Sequence, residues 1–242
     1  TRSVSLTPEG LALLPMARRL IAEWDNTEDE MRQRFTLRRG RVALAAMPSF
    51  AGNRLPVLLK HFRERYPTIS VTVHDVINEQ VIEMVRNRQV ELGIAFEPDN
   101  ALLMNFRPLY VDQFVAVVPA ASELASRDTL YWTDLQAYPF IALQRPSMVR
   151  VLLEEYLRGE NHKLEVSLES HQLVTIGRMV ANGLGVSVVP ALCIQQMREL
   201  GACCIPLTKP KIEKPIGILS MVDHEFSVAA QAIADILIEF SE

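Results

Sequence analysis

The sequence predicts an α/β protein of two Rossmann-like units of similar size, preceded by one long helix. Three observations carry that expectation. Strand and helix patterns alternate from Arg41 to Pro119. The same rhythm restarts at Phe140 and continues to the final helix. Ahead of both, Leu14, Ala17, Ile21, Trp24, Met31 and Phe35 follow helical spacing, with Glu28 interrupting the stripe.

The first element is that helix. Residues 1–6 read as a short strand-like segment. Thr7 is then a good N-cap, and Pro8 sits at the first helical position, where its missing N–H costs nothing. Pro15 is expected to kink the second turn. A lone helix with one apolar stripe must bury it, and pairing with another chain is favoured over packing on its own domain. Arg38-Arg39-Gly40-Arg41 then reads as a hinge.

Val42 to Met47 is a short apolar run read as a buried strand. After Pro48 and Ser49, residues Asn53 to Tyr66 form an amphipathic helix through Leu55, Leu58, Leu59, Phe62 and Tyr66, closed by Pro67. Ile69, Val71 and Val73 alternate with polar residues as a strand does. Asn78 lies in the next turn, Val81 to Val85 form a short helix, and Leu92 to Phe96 and Val115 to Val118 are further strands. Short strand–helix–strand links imply parallel strands and right-handed crossovers.

The chain is looser from Pro119 to Phe140, where Phe140 to Leu143 begins the second unit. Ser147 is the expected cap of a helix to about Leu157, with Gly159 as its stop. A strand at Leu164 to Leu168, a helix at His171 to Asn182 stopped by Gly183, and a strand at Gly185 to Val189 follow. Pro190 opens another helix, Ile216 to Val222 is a late strand, and Val228 to Phe240 is the last helix. Ligands bind at the carboxyl ends of parallel strands, and two such units facing each other make a hinged cleft. The helix start at Ser49 offers unpaired N–H groups to a small anionic or polar ligand there.

Composition narrows the function. The 242 residues are 49% apolar and 22% charged, which suits a globular protein with a substantial core. A net charge of −4 argues against nucleic-acid binding by these residues themselves. No apolar run is long enough for a spanning helix, and the charges among the first 30 residues do not fit a signal peptide. The chain opens on Thr1, so an upstream segment is expected. The three cysteines (193, 203 and 204) fit a reducing cytoplasm, with Cys203 and Cys204 as two reduced thiols.

Enzyme signals are poor. The five histidines show no metal-binding spacing. Ser187 lacks a nucleophile elbow. Gly183 and Gly185 lack the third glycine of a dinucleotide fingerprint and read as a helix stop and a tight turn into the next strand. Glu91 reads as a surface acid, with no second carboxylate to make a pair with it. No pair of residues looks like an acid, base or nucleophile, and no cofactor or metal is implied.

Several segments in register resemble a known family. Leu6-Thr7-Pro8-Glu9-Gly10 looks like a wing-to-linker motif. Gly40 to Leu44 looks like a first effector-domain strand. Leu55-Pro56 with Phe62-Arg63-Glu64-Arg65-Tyr66-Pro67, then Val90-Glu91-Leu92-Gly93-Ile94, then Val180 to Val186 with Val189-Pro190 match further motifs. In this set the chain resembles a LysR-type transcriptional regulator without most of its DNA-binding domain, and the likeness covers essentially the whole chain.

The resemblance implies a fold like a type 2 periplasmic binding protein. Residues 1–39 would be the end of the wing and a dimerising linker helix. Residues 40–118 with 220–242 would form effector-binding subdomain I, and 119–219 subdomain II. A small-molecule effector in the interdomain cleft would control transcription, with DNA bound by a winged helix-turn-helix ahead of Thr1. The protein would be a cytoplasmic homodimer or homotetramer that can contact RNA polymerase and has no membrane partner.

The effector contacts carried over are Pro48, Ser49 and Phe50 at the first turn, Asn78 after the second strand, and Phe96 at the end of the third. Gln144, Arg145, Ser147 and Met148 would face them, with Val186 and Ser187 beyond the glycines. Glu97 stands where members binding aromatic acids often have a basic residue, which argues against an acidic effector; it would be the charge nearest the first turn, with Arg145 in the facing loop able to supply a positive one. Arg88 and Glu91, where glycine and aspartate are usual, read as surface variation. The cysteines follow the helix at His171, unlike those of the peroxide-sensing branch, so redox sensing by that route is not expected. The alternative on the same fold is a transporter's solute-binding protein.

Overall fold

The computed structural model describes residues 6–35, 40–99, 103–160, 162–209 and 211–241. The expected strand at residues 1–6 falls outside these apart from Leu6, and so do Arg38 and Arg39 of the expected hinge.

Helix α1 spans Pro8–Phe35 and continues through Pro15. The Thr7 hydroxyl accepts from the N–H of Gly10 at 3.1 Å, as an N-cap should. Its apolar residues remain in the open: Leu20 is 63% exposed, Ile21 62% and Trp24 71%. Glu23 approaches the body of the molecule at Arg88, 3.8 Å away.

Strand β1 (Gly40–Ala46) lies between β2 (Ile69–Asp75) and β3 (Leu92–Phe96), parallel to both. The link between β1 and β2 is two helices: α2 (Pro48–Asn53) and α3 (Leu55–Arg65). The sequence suggested one helix from Asn53. The chain becomes helical five residues earlier and breaks at Arg54, just before Pro56, which has no N–H to continue the ladder. Leu55, Leu58 and Phe62 of α3 face inward. Helix α4 (Asn78–Arg86) covers the other face, burying Val81 and Val85.

Strand β4 is the largest departure from the sequence reading. It runs 16 residues, Met104–Pro119, of which only the last part had read as a strand. Its first half pairs antiparallel with β10 (Glu213–Met221), and a bulge at Ile216/Gly217 absorbs the mismatch beside Pro108. Its second half pairs antiparallel with β8 (Ser187–Pro190) and β9 (Ala202–Lys209). One strand thus passes through two sheets of neighbours. A 3₁₀ turn at Glu123–Ser126, strand β5 (Leu130–Tyr131) and helix α5 (Trp132–Leu135) occupy the stretch that had read as loose.

The second lobe adds β6 (Phe140–Leu143) and β7 (Val166–Ser170), a parallel pair linked by α6 (Met148–Gly159), then α7 (Leu173–Ala181) and α8 (Ile194–Glu199). Helix α6 includes Gly159 rather than stopping before it, and Pro190 leads into a 3₁₀ turn at Ala191–Cys193 before α8. Strand order in the main sheet is β2-β1-β3-β10-β4-β9-β5. Residues Ile216 to Leu219 pair with β3, so the return to the first lobe begins at the start of β10. Helix α9 (Val228–Glu239) closes that lobe with Ala230, Ile233 and Leu237 buried. Glu91 is half-buried rather than a plain surface acid: its carboxylate accepts from the Ser227 backbone N–H at 2.6 Å and the Ser227 hydroxyl at 2.9 Å, anchoring the start of α9.

The two glycines after α7 differ in what they do. Gly183 has φ +78° with open space where a Cβ would stand. Gly185 has φ +155°, and a Cβ there would lie 2.1 Å from the carbonyl oxygen of Pro139. That close approach lets the Val186 N–H reach the same oxygen at 2.9 Å and ties β6 to the β8 segment. Gly183→Ala should cost about 1 kcal/mol through left-handed strain alone. Gly185→Ala should cost about 3 kcal/mol because backbone must move. Urea unfolding of the two variants checks the order.

Candidate functional site

A cavity of about 340 Å³ lies between the lobes, at the lower end of the range that suits small ligands. From the first lobe it is walled by Met47, Pro48 and Ser49 at the end of β1, Ile77 to Gln80 at the start of α4, and Phe96. From the second lobe come Leu143, Gln144, Pro146 to Val149, His171 and Leu173. These are the carboxyl ends of β1, β3 and β6 together with the starts of α2, α4, α6 and α7.

Seven of the residues expected at an effector site line this cavity: Pro48, Ser49, Asn78, Phe96, Gln144, Ser147 and Met148. Four do not. Phe50 is buried in the core and faces a different cavity. Val186 and Ser187 are buried in the sheet, where the Ser187 hydroxyl donates to the Ile141 carbonyl at 2.7 Å. Arg145 points along α6 and pairs with Glu154, so it supplies no charge to the cavity. Glu154 also pairs with Arg150, at 2.8 Å.

Local structure explains the side chains that are placed. Asn78 is the first residue of α4 rather than part of a turn, and it is 5% exposed. Its Oδ1 accepts from the Phe96 N–H at 2.8 Å, joining the start of α4 to the end of β3. That bond fixes which way the amide faces and leaves Nδ2 buried with no hydrogen-bond partner. Ser49 is buried in the first turn of α2, with its carbonyl accepting from Asn53 Nδ2 at 2.9 Å. Ser147 holds the N-cap position of α6, but its side chain makes no cap bond, and Ile77 gives α4 none.

The sequence reading missed Glu79. It stands in the first turn of α4, its Oε2 is buried without a partner, and it lines the cavity. Glu97, expected to be the nearest charge, is exposed and lies outside the lining, its N–H donating to the Pro215 carbonyl. No lysine or arginine is among the described lining residues. The signal for Glu79 was available: an acidic residue directly after the asparagine already singled out.

A second cavity, about 680 Å³, lies behind α2 and α3 against α8 and β4. Tyr110 lines it, with the Arg54 guanidinium 5.9 Å from its ring centroid. Burial pushes the Tyr110 phenol up. Nearby Asp112, in the middle of β4, is 5% exposed and accepts from the Gln113 N–H at 2.9 Å. Burial pushes its carboxyl up to about 6, against the opposing pull of N–H groups from Leu192, Gln113 and Ala191. Cys193 is buried and its thiol is raised by that burial; burial also raises Cys204, to about 11, which keeps both thiols protonated at neutral pH.

Two lobes joined through a shared strand, with a small cavity at the strand ends between them, define a small-molecule-binding architecture. The chain belongs to the LysR substrate binding domain family, whose model matches residues 36–241. It is 32% identical to the HTH-type transcriptional regulator YbhD of Escherichia coli (strain K12), over 98% of this chain and 75% of that protein. Among solved structures, the regulatory domain of CcmR from Synechocystis PCC6803, in complex with 2-PG, superposes with a TM-score of 0.76 at 22% identity, covering 84% of this chain and 98% of that one. The LysR family regulator CbnR superposes with the same TM-score of 0.76 at 16% identity, over 98% of this chain and 82% of its own. The fold is that of the effector-binding domains of this family.

Asp112 makes the stability depend on pH. Its native pKa lies above that of an unfolded aspartate, about 3.9, so the native state holds the proton longer. Stability from this group is full below about pH 4, falls as pH rises toward 6, and stays reduced above that. Asp112→Asn should therefore gain about 2 kcal/mol on the wild type between about pH 4 and pH 6.5. Paired denaturation curves at the two pH values check it.

Proposed function

We propose that this chain is the effector-binding and oligomerising part of a LysR-type transcriptional regulator, with a small metabolite held in the cavity between α2, α4 and α6. The observation that carries this is the placement of an unpartnered Asn78 Nδ2 and two uncapped helix starts around one small cavity. Family membership and a 32% identical regulator favour this role over transport of a solute. In CcmR, the molecule described with the regulatory domain is 2-PG, which supports a small polar effector in this chain as well.

The mechanism follows from the topology. An effector touching both lobes favours the arrangement in which it is enclosed, and shifts the population by its differential affinity for the two states. The two units meet where β4 changes partners near Asp112 and where the chain returns at β10. The open apolar stripe of α1 supports a homodimer or homotetramer built through that helix. DNA would be held by a winged helix-turn-helix ahead of α1, with RNA polymerase contacted by the assembled oligomer in the cytoplasm.

Ser49→Ala should weaken binding of a small-molecule effector by about three- to tenfold, the usual worth of one hydrogen bond. The melting temperature should shift by less than about 3 °C. Calorimetry and thermal unfolding on the same preparations check both, and an unchanged affinity removes Ser49 from the site. Trp24→Glu should convert the oligomer to smaller species in light scattering if α1 is the pairing element, because a charge cannot be buried unpaired in an apolar seam.

A further inference from the structure

We infer that Glu79 sets the ligand class of the cavity, and that the ligand is an amino-acid-sized molecule carrying a protonated amine beside a carboxylate. This rests on the reading of the cavity as the effector site. Two adjacent side chains at the start of α4 have unmet and opposite needs. Asn78 Nδ2 is a buried donor with no acceptor, and its orientation is locked because Oδ1 already holds the Phe96 N–H. Glu79 Oε2 is a buried carboxylate oxygen with no donor. A ligand that satisfies both presents an acceptor and a donor side by side.

The charge balance decides between donors. A hydroxyl would give Glu79 Oε2 a neutral hydrogen bond, whereas a cationic donor makes the stronger, charge-assisted bond to a half-buried carboxylate. Among the described residues the cavity lining holds no lysine or arginine, and the guanidinium groups of Arg145 and Arg150 pair with Glu154, with Arg150 also reaching Glu169. His171 is the one other titratable group in the lining, and it is exposed at the opposite wall. An ammonium group fills the role. The ligand's carboxylate then finds its donors in Asn78 Nδ2 and in the first-turn N–H groups of α6, which lack a side-chain cap. The remaining wall, with Met47, Phe96, Met148 and Leu173, suits a short apolar side chain. A phosphorylated or doubly anionic ligand would face Glu79 with no cation to offset it.

The test titrates the protein with the standard L-amino acids and, for each, the carboxylic acid lacking the amine, with inorganic phosphate as a further probe. At least one amino acid should bind with a Kd tighter than about 1 mM. Its deaminated counterpart should bind at least tenfold more weakly, a comparison that needs no variant. Glu79→Gln should weaken the amino acid by about ten- to a hundredfold while its melting temperature stays near wild type. The inference is overturned if no amino acid binds, if the deaminated acid or phosphate binds as tightly, or if Glu79→Gln tightens binding. Binding unaffected by Met148→Trp, which fills the cavity, would instead overturn the reading of this cavity as the effector site.

Discussion

Everything in this molecule depends on the continuity of β4. A 16-residue strand exchanges one set of antiparallel partners for another midway, so the two lobes share a backbone rather than a flexible tether. Hydrogen bonds to β10 hold its first half, and bonds to β8 and β9 hold its second. The lobes are therefore placed opposite each other with their strand ends facing one gap. At the crossover sits Asp112, whose carboxyl is kept protonated into mildly acidic pH by burial. A polar group at a junction is tolerated because neighbouring N–H groups reach it.

The gap itself is built from backbone that ordinary secondary structure leaves incomplete. Helix starts carry unpaired N–H groups, and here α4 and α6 begin without a side-chain cap. In the proposed site Asn78 would serve both structure and recognition. Its oxygen joins α4 to β3 and its nitrogen is left over for whatever enters. The bond to Phe96 fixes the direction of that amide in advance, so its own ordering adds little to the entropy that binding must offset.

Much of the fold was legible in the sequence because its strongest signals are local. The apolar run before Met47, the alternation at Ile69 to Val73 and the stripe of α3 all depend on neighbours within a few residues. The first half of β4 was not legible. Its partner β10 lies about a hundred residues away, and Pro108 disguises a strand that a bulge accommodates. The site was readable to the same depth. Helix starts located Ser49, Asn78 and Ser147, while side-chain direction was invisible. Arg145 was assigned to the cavity because nothing local indicates that it turns to Glu154 nine residues on. Glu79 was passed over because an acid in a first turn has an ordinary explanation in the helix dipole.

The anchoring of α9 by Glu91 has a consequence for synthesis. The first lobe is discontinuous: its central sheet lacks β10, and its core lacks Ala230, Ile233 and Leu237, until the last thirty residues are made. The second lobe, by contrast, is contiguous once β4 is in place. Until β10 is made, β3 keeps an unpaired edge, and the pairing that covers it closes a long loop of chain.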